Sequence, residues 1–230
     1  MAHVNAVLEA RNLSCGYGGV PVCGRVNFSI QAGDILGVVG FNGTGKSTVL
    51  RSVAGRQEPL EGHVQFDARP RSEGSTRWRR AVAAVFDDDA WFPGLTVTEH
   101  LNLVATAHGI ADPISAVEHE LDFFGLAERS HAFPEALSSG QRRRLLLAAA
   151  MIRPARLLLF DEPEQRLDPA MVSALGERIL TAQAQGCAAV VVTHDPDFLR
   201  QIAQRCLVID DDVRQVTPHE GALVIQTQRP

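Results

Sequence analysis

The chain opens with short stretches in which apolar and polar residues alternate. VLEARNL at 7–13 and PVCGRVNFSI at 21–30 lie on either side of a glycine-rich CGYGG, a pattern that predicts strands of a small antiparallel sheet. The next segment differs. ILGVVG at 35–40 is apolar without interruption and ends in glycine, as expected of a parallel strand buried on both faces. STVLRSVAG at 47–55 has helical spacing, with Gly55 as its stop. GHVQFDA at 62–68 predicts a further strand of the N-terminal sheet, and RRAVAAVF at 79–86 a second core strand.

From about Thr96 to Met151 the pattern turns helical. TVTEHLNLVATAHG opens on Thr96 followed by Glu99, a capping-box signature. ISAVEHELDFFGL and SSGQRRRLLLAAAMI are further amphipathic candidates, the second with Ser138 or Ser139 as its N-cap. Strand patterns return in ARLLLFDEP at 155–163, CAAVVVTHD at 187–195 and RCLVIDDD at 205–212. The helical stretches PAMVSALGERILTAQAQG and DPDFLRQIAQ separate them. Strands alternating with helices predict an α/β fold whose parallel sheet is covered on both faces. One domain over residues 1–230 is expected. Its core spans 1–91 and 152–230 and includes the antiparallel β-subdomain; a helical subdomain at 92–151 is inserted.

Composition narrows the function. Hydrophobic content of 45% and charged content of 21% fit a soluble globular chain. A net charge of −5 provides no global positive field, so nucleic acid is not an expected partner. Cys15, Cys23, Cys187 and Cys206 form no CxxC pair and read as reduced, buried thiols. MAHVNAVLEARN has no apolar leader core, and the longest apolar runs, such as 145–152, are far too short to span a bilayer.

Arginine supplies every basic residue but one. The single lysine, Lys46, lies in GFNGTGKS at 40–47, which fits G-x-x-x-x-G-K-[ST] between a predicted strand and a predicted helix. Backbone N–H groups from Asn42, Gly43, Thr44, Gly45, Lys46, Ser47 and Thr48 can curl around phosphate oxygens, aided by the positive end of the helix. Lys46 would reach the β- and γ-phosphates, and Ser47 would offer its hydroxyl to Mg²⁺. A compact ammonium on a flexible stem suits this place better than a flat guanidinium. LLLFDE at 157–162 puts two carboxylates at the carboxyl end of a buried strand, where α/β sheets bind ligands. Asp161 would orient Mg²⁺, and Glu162 would act as general base on the attacking water.

Between these halves lies LSSGQRRR at 137–144, and with it the chain resembles the ATP-binding subunits of ABC transporters over essentially its whole length. LSSGQ is similar to the family signature, with Ser139 where glycine is commoner. Tyr17 resembles the residue that stacks on adenine, with Val22 as a second base contact. LFDEP resembles the Walker B segment, LDP with Asp168 the D-loop, and His194 the switch histidine at the γ-phosphate. The resemblance implies a P-loop NTPase fold with a RecA-like parallel core, and ATP and Mg²⁺ as ligands. It also implies a head-to-tail pairing, as a homodimer or with a second ATP-binding subunit. Each ATP would then lie between one cradle and the partner's Ser138, Ser139, Gly140 and Gln141. A separate transmembrane subunit, read as exporter machinery from the look of SSGQRRR and FPGLTVTEHLNLVATAHG, would hold the protein on the cytoplasmic face of the membrane.

Two departures from the family pattern stand out. Asp87 occupies a place where glutamine is usual; it is expected either to contact Mg²⁺ or to belong to an acidic turn at 87–89. In EQRLD at 164–168, Gln165 and Arg166 replace small residues, and Arg166 is expected at the dimer interface. Arg142, Arg143 and Arg144 are read as caps and flanks of the signature helix, Asp210–Asp212 as a solvated turn, and ARPRSEGSTRWRR as a surface loop leading into a strand. Alternative functions are a soluble ABC-type ATPase on ribosomes or DNA, and a low-turnover regulatory cassette.

Overall fold

The computed structural model describes residues 6–88 and 91–227. Asp89 of the acidic run and the first five residues of the N-terminal stretch lie outside them. In chain order the N-terminal part comprises β1 (Leu8–Ser14), β2 (Gly16–Tyr17), β3 (Val20–Pro21), β4 (Val26–Ile30), β5 (Ile35–Val39), α1 (Lys46–Ala54), β6 (Glu61–Phe66), β7 (Arg69–Pro70), α2 (Thr76–Ala81) and β8 (Val82–Val85). Three helices follow: α3 (Val97–Ala107), α4 (Pro113–Phe123) and α5 (Ser139–Met151). The rest is β9 (Leu157–Asp161), α6 (Pro169–Ala184), β10 (Ala188–Val192), α7 (Pro196–Ile202), β11 (Arg205–Val208), β12 (Arg214–Val216) and α8 (Pro218–Gln226).

The strands form a six-stranded sheet in the order β12-β11-β5-β10-β9-β8 and a four-stranded antiparallel sheet in the order β4-β1-β6-β7. In the larger sheet β11, β5, β10, β9 and β8 pair in parallel, and β12 closes one edge antiparallel to β11. The continuous apolar runs explain why. Along β9, Leu157 and Leu159 join one core, shared with α1 and the antiparallel sheet; Leu158 and Phe160 join another, shared with α3 to α6. β10 divides the same way, with Ala188, Val190 and Val192 on one side and Ala189 and Val191 on the other. Both faces are apolar because both are covered.

The helix starts are legible locally. Thr96 caps α3 with its capping-box partner Glu99, and Ser138 caps α5 with Gln141. Gly55 ends α1, as the sequence predicts.

Three readings need correction. The expected strand at 79–86 begins as helix: Arg79 to Ala81 finish α2, and only Val82–Val85 is strand. The supposed surface loop around Trp78 is that same helix, capped by Ser75, with Trp78 buried and edge-to-face on Phe66 at 5.3 Å between ring centres. The structure adds β12 and α8 after the last predicted strand, with Thr217 and Glu220 forming a third capping box. The turn at 210–212 and the four buried, unpaired thiols are as read. Among the described residues no helix is long and apolar enough to cross a membrane.

Candidate functional site

The parallel strands β5, β9 and β10 end side by side, and the loops that leave them bring the predicted residues together. The loop from β5 turns into α1 through Gly45, at φ 91°, where a β-carbon would stand 2.4 Å from Val22 Cγ2. Val22 therefore packs directly on the loop. Tyr17 is exposed, and its hydroxyl lies 3.3 Å from Thr48 Oγ1, which places the ring beside the first turn of α1. Asn42 and Gly43 face solvent at the loop's crest.

Lys46 is only 5% exposed and folds back over its own loop, donating to the carbonyls of Gly40 at 2.9 Å and Phe41 at 2.8 Å. Burial lowers the pKa of its ammonium, against the raising pull of Glu162 and Asp161. Ser47 donates from Oγ to Asp161 Oδ1 at 3.1 Å, joining α1 to the end of β9. Burial pushes the Asp161 carboxyl above its ordinary range although Ser47 pulls it down. A carboxylate beside a hydroxyl is a pair of hard oxygen donors, and that donor set suits Mg²⁺.

Glu162 follows β9 with φ 48°, left-handed backbone unusual for a non-glycine residue. Its amide donates to Val192 O at 2.9 Å, and Arg143 donates to its carbonyl at 2.8 Å. Its Oε1 lies 3.1 Å from His194 Nε2, and Gln165 donates to its Oε2. The His194 hydrogen bond holds the Glu162 carboxyl below the usual carboxylate range, against burial. A carboxylate held ionised against a histidine can accept a proton from a neighbouring water.

The signature segment lies apart. Ser138 and Ser139 are exposed at the start of α5, where Ser138 Oγ accepts from the Gln141 amide and Gln141 Oε1 accepts from the Ser138 amide. Among the described residues no hydrogen bond or ion pair links Ser138, Ser139, Gly140 or Gln141 to the Lys46 loop. Asp168 caps α6 by accepting from the Met171 amide at 2.9 Å, and pairs with Arg144 at 2.6 Å.

The three arginines after the signature are not mere flanks. Arg142 stacks over Trp91, with 5.6 Å from its guanidinium to the ring centre. Arg144 takes Asp168. Arg143 is 2% exposed and donates to the carbonyls of Phe86, Asp161 and Glu162 at 3.1, 2.6 and 2.8 Å. The signal that could have found it is helical spacing: Arg143 shares the buried stripe of α5 with Leu147 and Ala150. The departures at 87 and 166 also meet. Arg166, expected at a dimer interface, pairs within its own chain with Asp87 at 3.0 Å. Asp87 is thereby engaged with Arg166 rather than with the Ser47–Asp161 pair, and Asp88 is held by Arg51 at 2.8 Å.

A protein-family model described as "ABC transporter" matches residues 23–165. The chain is 32% identical over 207 residues to the SkfA peptide export ATP-binding protein SkfE of Bacillus subtilis, covering 89% of this chain and 86% of that protein. It is 30% identical over 225 residues to the L-cystine import ATP-binding protein TcyN of the same organism, covering 93% and 87%. A solved ATP-binding subunit of an ABC transporter superposes with a TM-score of 0.82 at 28% identity, covering 92% of this chain and 90% of that one. A dimeric ATP-binding cassette in a post-hydrolysis state, bound to ADP and Pi, shares the fold with a TM-score of 0.81 at 23% identity, covering 92% and 98%.

Proposed function

The chain belongs to the ABC transporter family, as an ATP-binding subunit that hydrolyses ATP, and from that premise we propose that hydrolysis takes place in a pocket shared by two copies. The loop carrying Asn42 to Thr48 grips the triphosphate with its N–H groups, and Tyr17 and Val22 hold the base. Lys46 exchanges the carbonyls of Gly40 and Phe41 for phosphate oxygens. Ser47 and Asp161 are the residues that would hold Mg²⁺, which, when bound, supplies charge neutralisation on the phosphates. Glu162 takes a proton from the attacking water and His194 orients it. The partner's Ser138, Ser139, Gly140 and Gln141 close the pocket over the phosphates, with Asp168 at the seam.

One observation carries this reading above the others. Ser47 donates to Asp161 at 3.1 Å and the adjacent Glu162 meets His194 at 3.1 Å, so side chains that follow β5 and β10 are tied to two neighbouring carboxylates at the end of β9. The inserted helices, the subdomain expected at 92–151, would transmit closure to a separate transmembrane subunit that holds the protein on the cytoplasmic face of the membrane. The relatives named above serve both export and import, so the exporter assignment rests on the peptide-export relative and the look of the signature alone.

The test uses E162Q, in which ATP binding should persist while turnover falls by at least about a hundredfold. Specific activity of the unaltered protein should also fall on dilution below the dimer dissociation constant. Full activity in a strict monomer would refute the shared pocket.

A further inference from the structure

The path of the chain out of β10 is set by one side chain that the proposed chemistry does not use. Thr193 is fully buried, and its hydroxyl donates to Glu164 Oε1 at 2.5 Å. The His194 amide donates to the same oxygen at 2.9 Å. Asp195 closes the turn, its amide donating to Thr193 Oγ1 at 3.0 Å. The polar groups leaving β10 thus converge directly or at one remove on Glu164, whose Oε2 is sealed from solvent with no hydrogen-bond partner among the described residues.

The opposite side of the contact is fixed independently. Glu162 hangs from β10 through its amide and from α5 through Arg143. Its 3.1 Å approach to His194 is therefore set from two directions, by Arg143 acting on the Glu162 backbone and by Glu164 acting on the His194 backbone. Without an acceptor at 164, a buried hydroxyl and an amide lose their partner together. Such groups move to find another, and the imidazole moves with them.

We propose that Glu164 is a positioning residue for ATP hydrolysis: by accepting from both the Thr193 hydroxyl and the His194 amide, it sets where the His194 imidazole stands relative to Glu162. This rests on the reading of Glu162 and His194 given above. Glu164 touches no reacting atom and acts through the backbone of the next strand's loop.

The experiment compares E164L, which has no acceptor, with E164Q, which keeps one oxygen, in the full-length protein with whatever partner its turnover requires. E164L should lower kcat about tenfold and leave KM and nucleotide affinity within about twofold. E164Q should recover most of the loss. Adding E164L to H194A should bring little further loss, because the two act through one group. Should E164L fold poorly, T193V removes one donor and leaves the carboxyl in place; a kcat loss of about threefold is then expected. Unchanged kcat in E164L and T193V, or losses that multiply with that of H194A, would overturn the proposal. If E162Q or H194A kept full turnover, the reading of the site would fall and this inference with it; normal turnover in E164L with inactive E162Q would refute Glu164 alone.

Discussion

Two helix N-termini in this molecule carry the sequence features of an anion site, and they are built in opposite ways. At the start of α1 the charges are present and already satisfied: Lys46 is folded onto two carbonyls, and Ser47 is on Asp161. At the start of α5 there is no charge in the capping residues. Ser138 and Gln141 satisfy each other, and the segment faces solvent. Both ends offer backbone N–H groups, but only the first combines them with an ammonium and a pair of carboxylates. The contrast teaches how work is divided. In the proposed shared pocket, one end would supply charge and chemistry and the other neutral donors for a phosphate held by the partner copy.

This comparison can be broken most severely by damaging each end alone and then mixing the two. K46A should abolish turnover and weaken ATP binding by more than about tenfold. S139R should abolish turnover as well, by blocking the donor end, yet leave ATP binding to the isolated chain within about twofold. Mixed together, the two inactive variants should regain activity. One of the two pockets in a mixed dimer then joins an intact cradle to an intact signature. No recovery in the mixture, measured by steady-state ATPase assay, would refute the division.

A smaller effect sharpens it. S138A removes the α5 cap and should reduce stability by about 1 kcal/mol in denaturant titration. Nucleotide affinity of the single chain should not change. The smallest effect is a control that belongs to neither end. Glu120 of α4 is buried against Arg178 of α6, and burial pushes its carboxyl up to about 6 despite the arginine. An acid whose folded pKa is raised favours the folded state when protonated. Its contribution is complete below the unfolded pKa and is lost as pH rises from about 4.5 to about 6. E120Q should remove that slope from the pH dependence of thermal stability, with turnover per folded molecule unchanged.

Much of this was legible in the sequence because it depends on local order. The Lys46 loop, the two carboxylates at the end of β9, the capping box at Thr96 and the N-cap at Ser138 are all read from residues within a few positions of one another. What was missed depends on contacts across the sheet. No spacing rule pairs Asp87 with Arg166, or Glu164 with Thr193, because the partners reach one another only after β8, β9 and β10 align. The arginine run shows the same limit within four residues. Arg142, Arg143 and Arg144 look alike in a string, yet helical rotation sends one to an aromatic ring, one into the interior and one to a carboxylate. Trp78 misled for a different reason: its arginine neighbours are the exposed side of a short helix whose apolar side lies on Phe66.

The solitary lysine has a practical consequence. An amine-directed acylating reagent finds one side-chain target in the whole chain, inside the pocket proposed to bind ATP. Burial weakens the hold of that ammonium on its proton, which favours the nucleophilic free amine. The polypeptide thus carries a built-in chemical reporter: with the terminal amine blocked, the rate of covalent tagging would read out occupancy of a single lock, one key at a time.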